Sequence, residues 1–557
     1  MDVFSRLCFF IFSSIIFLWS LVILREVLKT YEFSFLFVIL IDKVSGDSVV
    51  DLCLDTFKLD KQCLVFVSTK RGAEACAERV ASKFNFSENA FLLGSKVEKV
   101  LSSPTRQCRR LGKVLSKGVA FHHSGLSSEQ RRLVEDGFRK GIIRVICSTT
   151  TLGAGLDLPA FRSVIRDLKR FSPGWGSVPI PVLEYEQMAG RAGRPKFDSV
   201  GEAVCVASSP EEKELFWEEY INGFPEDISS KLAVEPVLRT YVLSLISSGY
   251  ANSFSTLMDF LSLTFYAHQY GDLNKLKGIV LSVISALEDY GFIVSSRSND
   301  FFRSALDEED FKLEVTRLGR RVSELYLDPF TAHELIEGMR FARKSVSVFG
   351  VLQLICSANE MRPLINPKKK DEELIDEKVL FEDGNFLGDV PSMFSDYYFD
   401  FVASVKTAIV LEEWMEEKSE DFLFESLGVT PGELNSKVER GNWLLYSCQE
   451  LAKIVPEIKR DFLELHIVRE RLSKGIKSEL LPLVRLKGIG RVRARKLFNN
   501  KIRDVRDIKK VDISTLVDLV GKSVAFSIKK QVGQNLSEDR VVVKKNKRKG
   551  QISLGDF

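Results

Sequence analysis

Two short apolar runs limit what this chain can fold into. Leu64 to Val67 leads straight into Ser68-Thr69-Lys70, and Val145 to Cys147 into Ser148-Thr149-Thr150. A brief, continuous apolar run that stops at a hydroxyl cluster reads as a buried parallel strand feeding a loop. Residues around Ala73 to Ala81 have helical composition, so strand and helix alternate. That alternation predicts an α/β domain, and in open α/β sheets ligands sit off the C-terminal ends of the strands. Ser68, Thr69, Lys70, Thr149 and Thr150 are therefore candidates for gripping nucleic-acid phosphate through hydroxyls, backbone N–H groups and an ammonium.

Two further strings surround the second run. Gly118 to Leu126 reads GVAFHHSGL, and Gln187 to Pro195 reads QMAGRAGRP. Arg191 and Arg194 stay charged and present planar forks of donors, which suits phosphate oxygens on which negative charge develops. Gln187 precedes them, and the intervening glycines and alanines allow close backbone approach. After Thr151 come Gly153 and Gly155, which permit tight turns, and Asp157, which is suited to orienting groups near a nucleotide. His122-His123 fits a nucleic-acid contact at His123 or a buried, hydrogen-bonded pair.

In this order the four strings resemble motifs IV to VI of superfamily 2 helicases of the Ski type. The resemblance implies that Arg191, Arg194 and Gln187 act on ATP, with Gly155 and Asp157 lining the same cleft. It also implies Mg2+ with the nucleotide. Such helicases carry a Gly-x-x-x-x-Gly-Lys-Ser/Thr phosphate loop and an acidic metal motif in a first RecA-like domain. Neither is found in the sequence. Gly521-Lys522-Ser523 has Leu516 where the loop needs glycine, and Asp371-Glu372-Glu373 follows no strand. The expectation is a second motor domain with the domains downstream of it, hydrolysing little ATP unless a separate chain supplies the first.

Between the last two strings, Arg166 to Pro181 contains Ser-Pro-Gly-Trp-Gly, a turn flanked by strand-like residues. This predicts a β-hairpin with Phe171 and Trp175 near its tip. In the resembled helicases a hairpin here splits the duplex, the aromatic tip replacing lost base stacking. A surface loop with a packed tryptophan is the plainer alternative.

Downstream, Glu226 to Leu232, Ser244 to Phe265 and Thr316 to Pro329 resemble the winged-helix domain, and the start of the helical ratchet domain, of archaeal Holliday-junction migration helicases (Hjm). That family is related to the helicase part of animal polymerase theta. The likeness runs from about Asp42 to about Gly533. It implies a ratchet helix after Pro431-Gly432-Glu433-Leu434, with Trp443 stacking on bases. The family's arginine position is Ser436 here, so the basic role falls to Arg440, on the face of Trp443, or to nearby Lys437. A core tryptophan is the alternative.

Leu486 to Leu497, LKGIGRVRARKL, is a helix-hairpin-helix signature. Gly488 and Gly490 form the turn, whose N–H groups with the next helix N-terminus meet a DNA phosphate, while Arg491, Arg493, Arg495 and Lys496 add charge. Such a contact is salt-sensitive and blind to sequence. A purely structural helical cap remains the rival. Lys544 to Lys549 is a like-charge run, and Gln551, Leu554 and the terminal Phe557 are spaced like the box that docks on the PCNA sliding clamp.

The expected domains are an apolar extension (1–41), the second RecA-like domain (42–228), a winged helix (229–317), a helical ratchet bundle (318–480), a helix-hairpin-helix domain (481–537) and the tail (538–557). A length of 557 residues at about 150 per domain agrees with several domains. In the extension, Cys8 to Leu24 is apolar between Arg6 and Arg25, just short of the ~20 residues of a membrane helix. It is read as an anchor or as translated text foreign to the protein, the latter favoured and a cytoplasmic location with it. Net charge is only +3, so nucleic acid must be held by local patches, and nine cysteines without metal spacing read as reduced and mostly buried. The resemblance implies a 3′–5′ DNA helicase working on single-stranded, forked or branched DNA. A Ski-type RNA helicase and a non-enzymatic DNA-binding subunit are the alternatives.

Overall fold

The computed structural model describes residues 41–101, 104–153, 158–172, 176–193, 198, 200–296, 310–342 and 346–534, with the backbone of two strands further upstream. The chain divides into two compact units, Met1–Ile228 with Phe424–Asn435, and Ser229–Leu423 with Ser436–Phe557.

The first unit is built on a seven-stranded sheet. Its strands are β1 (Leu21–Leu28), β2 (Ser34–Phe35), β3 (Cys63–Phe66), β4 (Val119–His122), β5 (Val145–Ser148), β6 (Arg162–Ile165) and β9 (Val200–Ala207), in the order β2-β1-β9-β6-β3-β5-β4. The five from β9 to β4 are parallel. Strands β3, β4, β5 and β6 are buried at every residue, as an apolar run covered on both faces must be. The exception in kind is Arg162, wholly buried in β6. It survives there because Glu202, Asp55, Thr56 and the Leu52 carbonyl take its donors.

Local signals set the helices. Asp47 caps Ser48–Lys58 and Thr69 caps Lys70–Ser82, a turn earlier than the composition around Ala73 suggests. Ser127 and Gln130 form a capping box on Ser128–Arg139. The predicted hairpin forms from β7 (Lys169–Ser172) and β8 (Gly176–Pro179). Its foot is tied by the Tyr220 hydroxyl, which donates to the Leu168 and Ile180 carbonyls; burial pushes this phenol up to about 12.

At the other edge, the end of the first apolar run is β1, antiparallel to β9, so Leu21 to Leu24 are strand and not membrane helix. Residues 1–20 lie outside the described residues. Among those described, no helix is long and apolar enough to cross a membrane.

The second unit is mostly helical. Helices Glu235–Ser247, Phe254–Ser262 and Leu273–Asp289 precede a two-stranded antiparallel pair, β10 (Ile293–Ser295) and β11 (Leu313–Val315). Further helices follow: Pro329–Phe341, Val348–Ser357, Tyr398–Met415, Pro431–Ala452, whose first residues belong to the first unit, and Phe462–Lys474. Asp371, read from sequence as part of a charged loop, is buried against Lys406. Ile476 to Val532 close a small helical core of their own, in which Gly521 is the turn between Ile513–Val520 and Lys522–Gln531. The eight described cysteines are buried.

Candidate nucleotide and nucleic-acid site

Register gathers the sequence strings. Phe66 lies opposite Ser148 and Ile165, and Ser148 opposite His122. The segments leaving these parallel strands, Val67–Lys70, His123–Leu126, Thr149–Leu152 and Arg166–Asp167, therefore emerge at one edge of the sheet. The hairpin of β7 and β8 grows from the same edge. Sequence separations of many tens of residues become neighbourhood because each string ends a parallel strand.

The groups on this edge are tied to one another. Ser68 donates from N–H and Oγ to the Asp167 carboxylate at 2.8 and 2.9 Å, and Arg166 grips the same carboxylate. Burial raises the Asp167 pKa, but the Arg166 and Ser68 bonds override it and hold the carboxyl below its usual range. Thr69 spends its hydroxyl capping Gly72 N–H. Lys70 pairs with Glu433 at 2.6 Å. Thr149 and Thr150 are partly exposed in the turn after β5.

His123 follows the buried, hydrogen-bonded alternative. It is wholly buried, its Nδ1 accepts the Gly125 N–H at 3.1 Å, its Nε2 faces Glu74 at 3.3 Å, and its ring stacks on Phe121. It props the Ser124–Leu126 loop from beneath and presents nothing to a nucleic acid. His122 is buried too, 3.0 Å from Glu135; burial depresses its pKa and Glu135 recovers only part of the shift. Glu74 was not legible as a site residue. It joins His123, Gln107 and Arg110, and its carboxyl stays below the usual range although burial pushes it up.

The arginine-bearing string is fastened to the turn after β5. Arg191 Nε and Nη2 donate to the Gly153 carbonyl at 2.9 and 2.6 Å. Gly153 closes the expected turn, its N–H donating to the Thr150 carbonyl, with an ordinary helical φ; closeness also counts there, since a Cβ would lie 3.1 Å from Met188 Cγ. Gly193 does need its freedom, with φ of +83°, where its N–H donates to the Ala160 carbonyl. Gln187 is exposed near the end of helix Val182–Ala189, and Glu226 satisfies the N–H groups of Val182 and Leu183 at that helix's start. Arg194, Gly155 and Asp157 lie outside the described residues, as do Trp175 and the Phe171 side chain.

A nucleotide suits this corner in part. Two of the five guanidinium donors of Arg191 are spent on Gly153, leaving others for a phosphate. Among the described residues, no group of three or more His, Cys, Asp or Glu side chains is arranged to hold a metal ion.

In the second unit the basic residues are committed differently from expectation. Trp443 is half-buried, its indole N–H donating to the Leu325 carbonyl at 3.2 Å. Arg440 donates to the Glu360 and Arg362 carbonyls and buried Lys437 to those of Met361 and Pro363. Both fasten the 360–363 segment, Arg440 through Nη1 alone.

At the second glycine string, Gly488 has φ of +91° and Gly490 caps helix Arg491–Asn499 with no side-chain bond. Arg491 lies 4.2 Å over the Trp414 ring and donates to the Lys418 carbonyl. Arg495 is bidentate on Glu417 and reaches Glu479. These two, four residues apart, face inward, whereas Arg493 and Lys496 are exposed on the other side with Lys487, Gly488 and Gly490. Gln551, Leu554 and Phe557 lie outside the described residues.

Comparison with known proteins identifies the family. Residues 47–196 match the helicase conserved C-terminal domain, and residues 349–475 match archaeal helicase domain 4. Relatives from several archaea bear the name ATP-dependent DNA helicase Hel308, and three are representative. That of Methanocella arvoryzae is 38% identical over 507 residues, spanning 89% of this chain and 66% of the relative. That of Methanococcus vannielii is 34% identical over 89% of this chain and 69% of its own length. That of Pyrococcus horikoshii is 37% identical over 87% and 66%. The chain thus spans about two thirds of the length of the relatives it matches. At this identity over this coverage, the chain belongs to the Hel308 family of ATP-dependent DNA helicases.

Proposed function

We propose that the chain is the arginine-bearing and DNA-handling part of an ATP-dependent 3′–5′ DNA helicase that opens forked or branched DNA in fork repair and recombination. The observation that carries this reading is the meeting of separate strings at one corner: loops after four parallel strands share an edge, and Arg191 is fixed on the turn after β5. ATP supplies the phosphoanhydride bond whose hydrolysis drives movement. Arg191, with Arg194 and Gln187, takes the role of stabilising charge on its outer phosphates. The phosphate loop and the metal-holding carboxylates would come from a further domain, in the same polypeptide or another.

The remaining parts have separate tasks in this reading. The β7–β8 hairpin is the wedge at the duplex end. The three helices with β10 and β11 form a winged helix. The exposed part of Trp443 stacks on a base of the tracked strand. The turn at Gly488 and Gly490, with Arg493 and Lys496, holds the exiting strand through its backbone as a helix-hairpin-helix. The tail residues Gln551, Leu554 and Phe557 dock on a sliding clamp.

The deciding experiment measures forked-DNA binding and ATP turnover by the purified chain, alone and mixed with a Hel308 phosphate-loop domain. Salt-sensitive DNA binding, with turnover and strand separation only in the mixture, is the expected result. DNA-stimulated turnover by the chain alone would show that its nucleotide site has been misplaced. Absence of DNA binding would overturn the reading.

A further inference from the structure

The loops at the sheet edge hold a piece of chain from far downstream. Thr430 begins the helix Pro431–Ala452, and Glu433 in its first turn reaches back to accept the Thr430 N–H and Oγ–H at 3.0 and 2.7 Å. The other Glu433 oxygen takes Lys70 Nζ at 2.6 Å. Burial pushes the Glu433 carboxyl up, yet Lys70 and the Thr430 bonds hold it below its ordinary range. Beside it, Gly432 donates its N–H to the Gly125 carbonyl at 3.0 Å. A Cβ on Gly432 would lie 2.2 Å from the Ser124 carbonyl oxygen and 2.5 Å from that of Leu126, so only glycine fits. Beneath that loop is His123, bonded to Gly125 and facing Glu74. Lys70 and His123, two of the nucleic-acid candidates, thus serve one intramolecular socket.

The helix seated there runs unbroken to Ala452 and carries Trp443 about 18 Å along its axis. We propose that Gly432 and the Lys70–Glu433 pair are positioning residues for unwinding, holding the root of the Trp443 helix to the strand-end loops so that shifts of those loops reach the base-stacking tryptophan. The coupling rests on the proposed function; the socket itself does not. The Lys70–Glu433 pair is partly exposed on both sides, so it tunes the seat while Gly432 shapes it.

Hydrogen exchange on the chain tests the socket, and strand separation per ATP in the mixture with the phosphate-loop domain tests the coupling. In Gly432→Ala and Lys70→Ala, amides of residues 430–436 should exchange about tenfold faster in the first and about threefold faster in the second, with β3 and β5 still protected. Base pairs opened per ATP should fall about fivefold in Gly432→Ala while DNA-stimulated turnover stays within about twofold, and Lys70→Arg should restore the wild-type values. Unchanged exchange in Gly432→Ala overturns the socket. Parallel loss of turnover and unwinding overturns the coupling and leaves a merely structural contact. A wild-type mixture that never turns over ATP counts against the proposed function and its dependent coupling, while exchange still decides the socket.

Discussion

The strings at 187–195 and 486–497 look alike on paper, each mixing glycine with closely spaced arginines, but the fold uses them in opposite ways. In the first, Arg191 sits in a turn after a short helix and is drawn onto a backbone carbonyl of its own domain. In the second, the arginines lie on one helix, and the helical repeat sorts them. Arg491 and Arg495 are held by Trp414, Glu417 and Glu479, while Arg493 and Lys496 are exposed and donate to the Gly488 and Asp518 carbonyls. Spacing in a helix separates inward-paired from exposed charge; in a turn, only the partner loop does so.

The largest effect that would break this comparison is at Arg191. Arg191→Ala should lower DNA-stimulated ATP turnover of the mixture about a thousandfold while leaving DNA affinity near wild type. If affinity falls and turnover does not, the first string is a DNA-binding turn after all.

The second string yields a paired prediction. Arg495→Ala leaves Glu417 without its bidentate partner and should cost about 2 kcal/mol of stability, read by denaturant unfolding, with little change in DNA affinity. Arg493→Ala should do the reverse, weakening DNA binding about threefold and reducing the salt slope by about 1. Equal DNA effects from both would mean that the helical sorting does not govern contact.

The smallest effect is in pH, and it separates the two units. His122 keeps a depressed pKa in the fold, whereas the unfolded chain takes up its proton near pH ~6.5. Its contribution is therefore present above that pH and lost as pH falls toward the folded value. In the second unit, burial raises the carboxyls of Glu360, Glu412, Glu420 and Asp461. These bind protons more readily folded than unfolded, so they favour the fold below their ordinary range and lose that contribution as pH rises through the raised values. Acidification from pH ~6.5 toward ~5 should loosen amides of the first unit before those of the second, and His122→Gln should flatten the first unit's dependence. An identical pH response of the two units would contradict this assignment.

Much of this was legible in the sequence wherever the signal is local. Apolar runs ending in hydroxyls gave β3 and β5, Ser-Pro-Gly-Trp-Gly gave the hairpin turn, and the glycine string gave a turn and helix at 486–497. Thr430 and Glu433 also carried a readable capping signal, with Pro431 at the first helical position. What that signal lacked was any hint that Glu433 and Gly432 meet residues some three hundred positions upstream. The string left His123 open between a nucleic-acid contact and a buried, hydrogen-bonded residue, and it held no sign of the carbonyls that Arg440 meets: polarity is visible in a string, but burial and the identity of the bonding partner are not.

The sequence by itself determined the alternation of strands and helices, the positions of the turns and the residue types able to grip phosphate, because these follow from short-range periodicity and backbone sterics. Only the tertiary structure decided which charges are spent. Arg191 on Gly153, Lys70 on Glu433, Arg440 on Arg362 and Arg495 on Glu417 are partners set by the packing of distant segments. A buried or half-buried charge must find a partner to offset its lost hydration, and which one it finds depends on what the fold brings within reach.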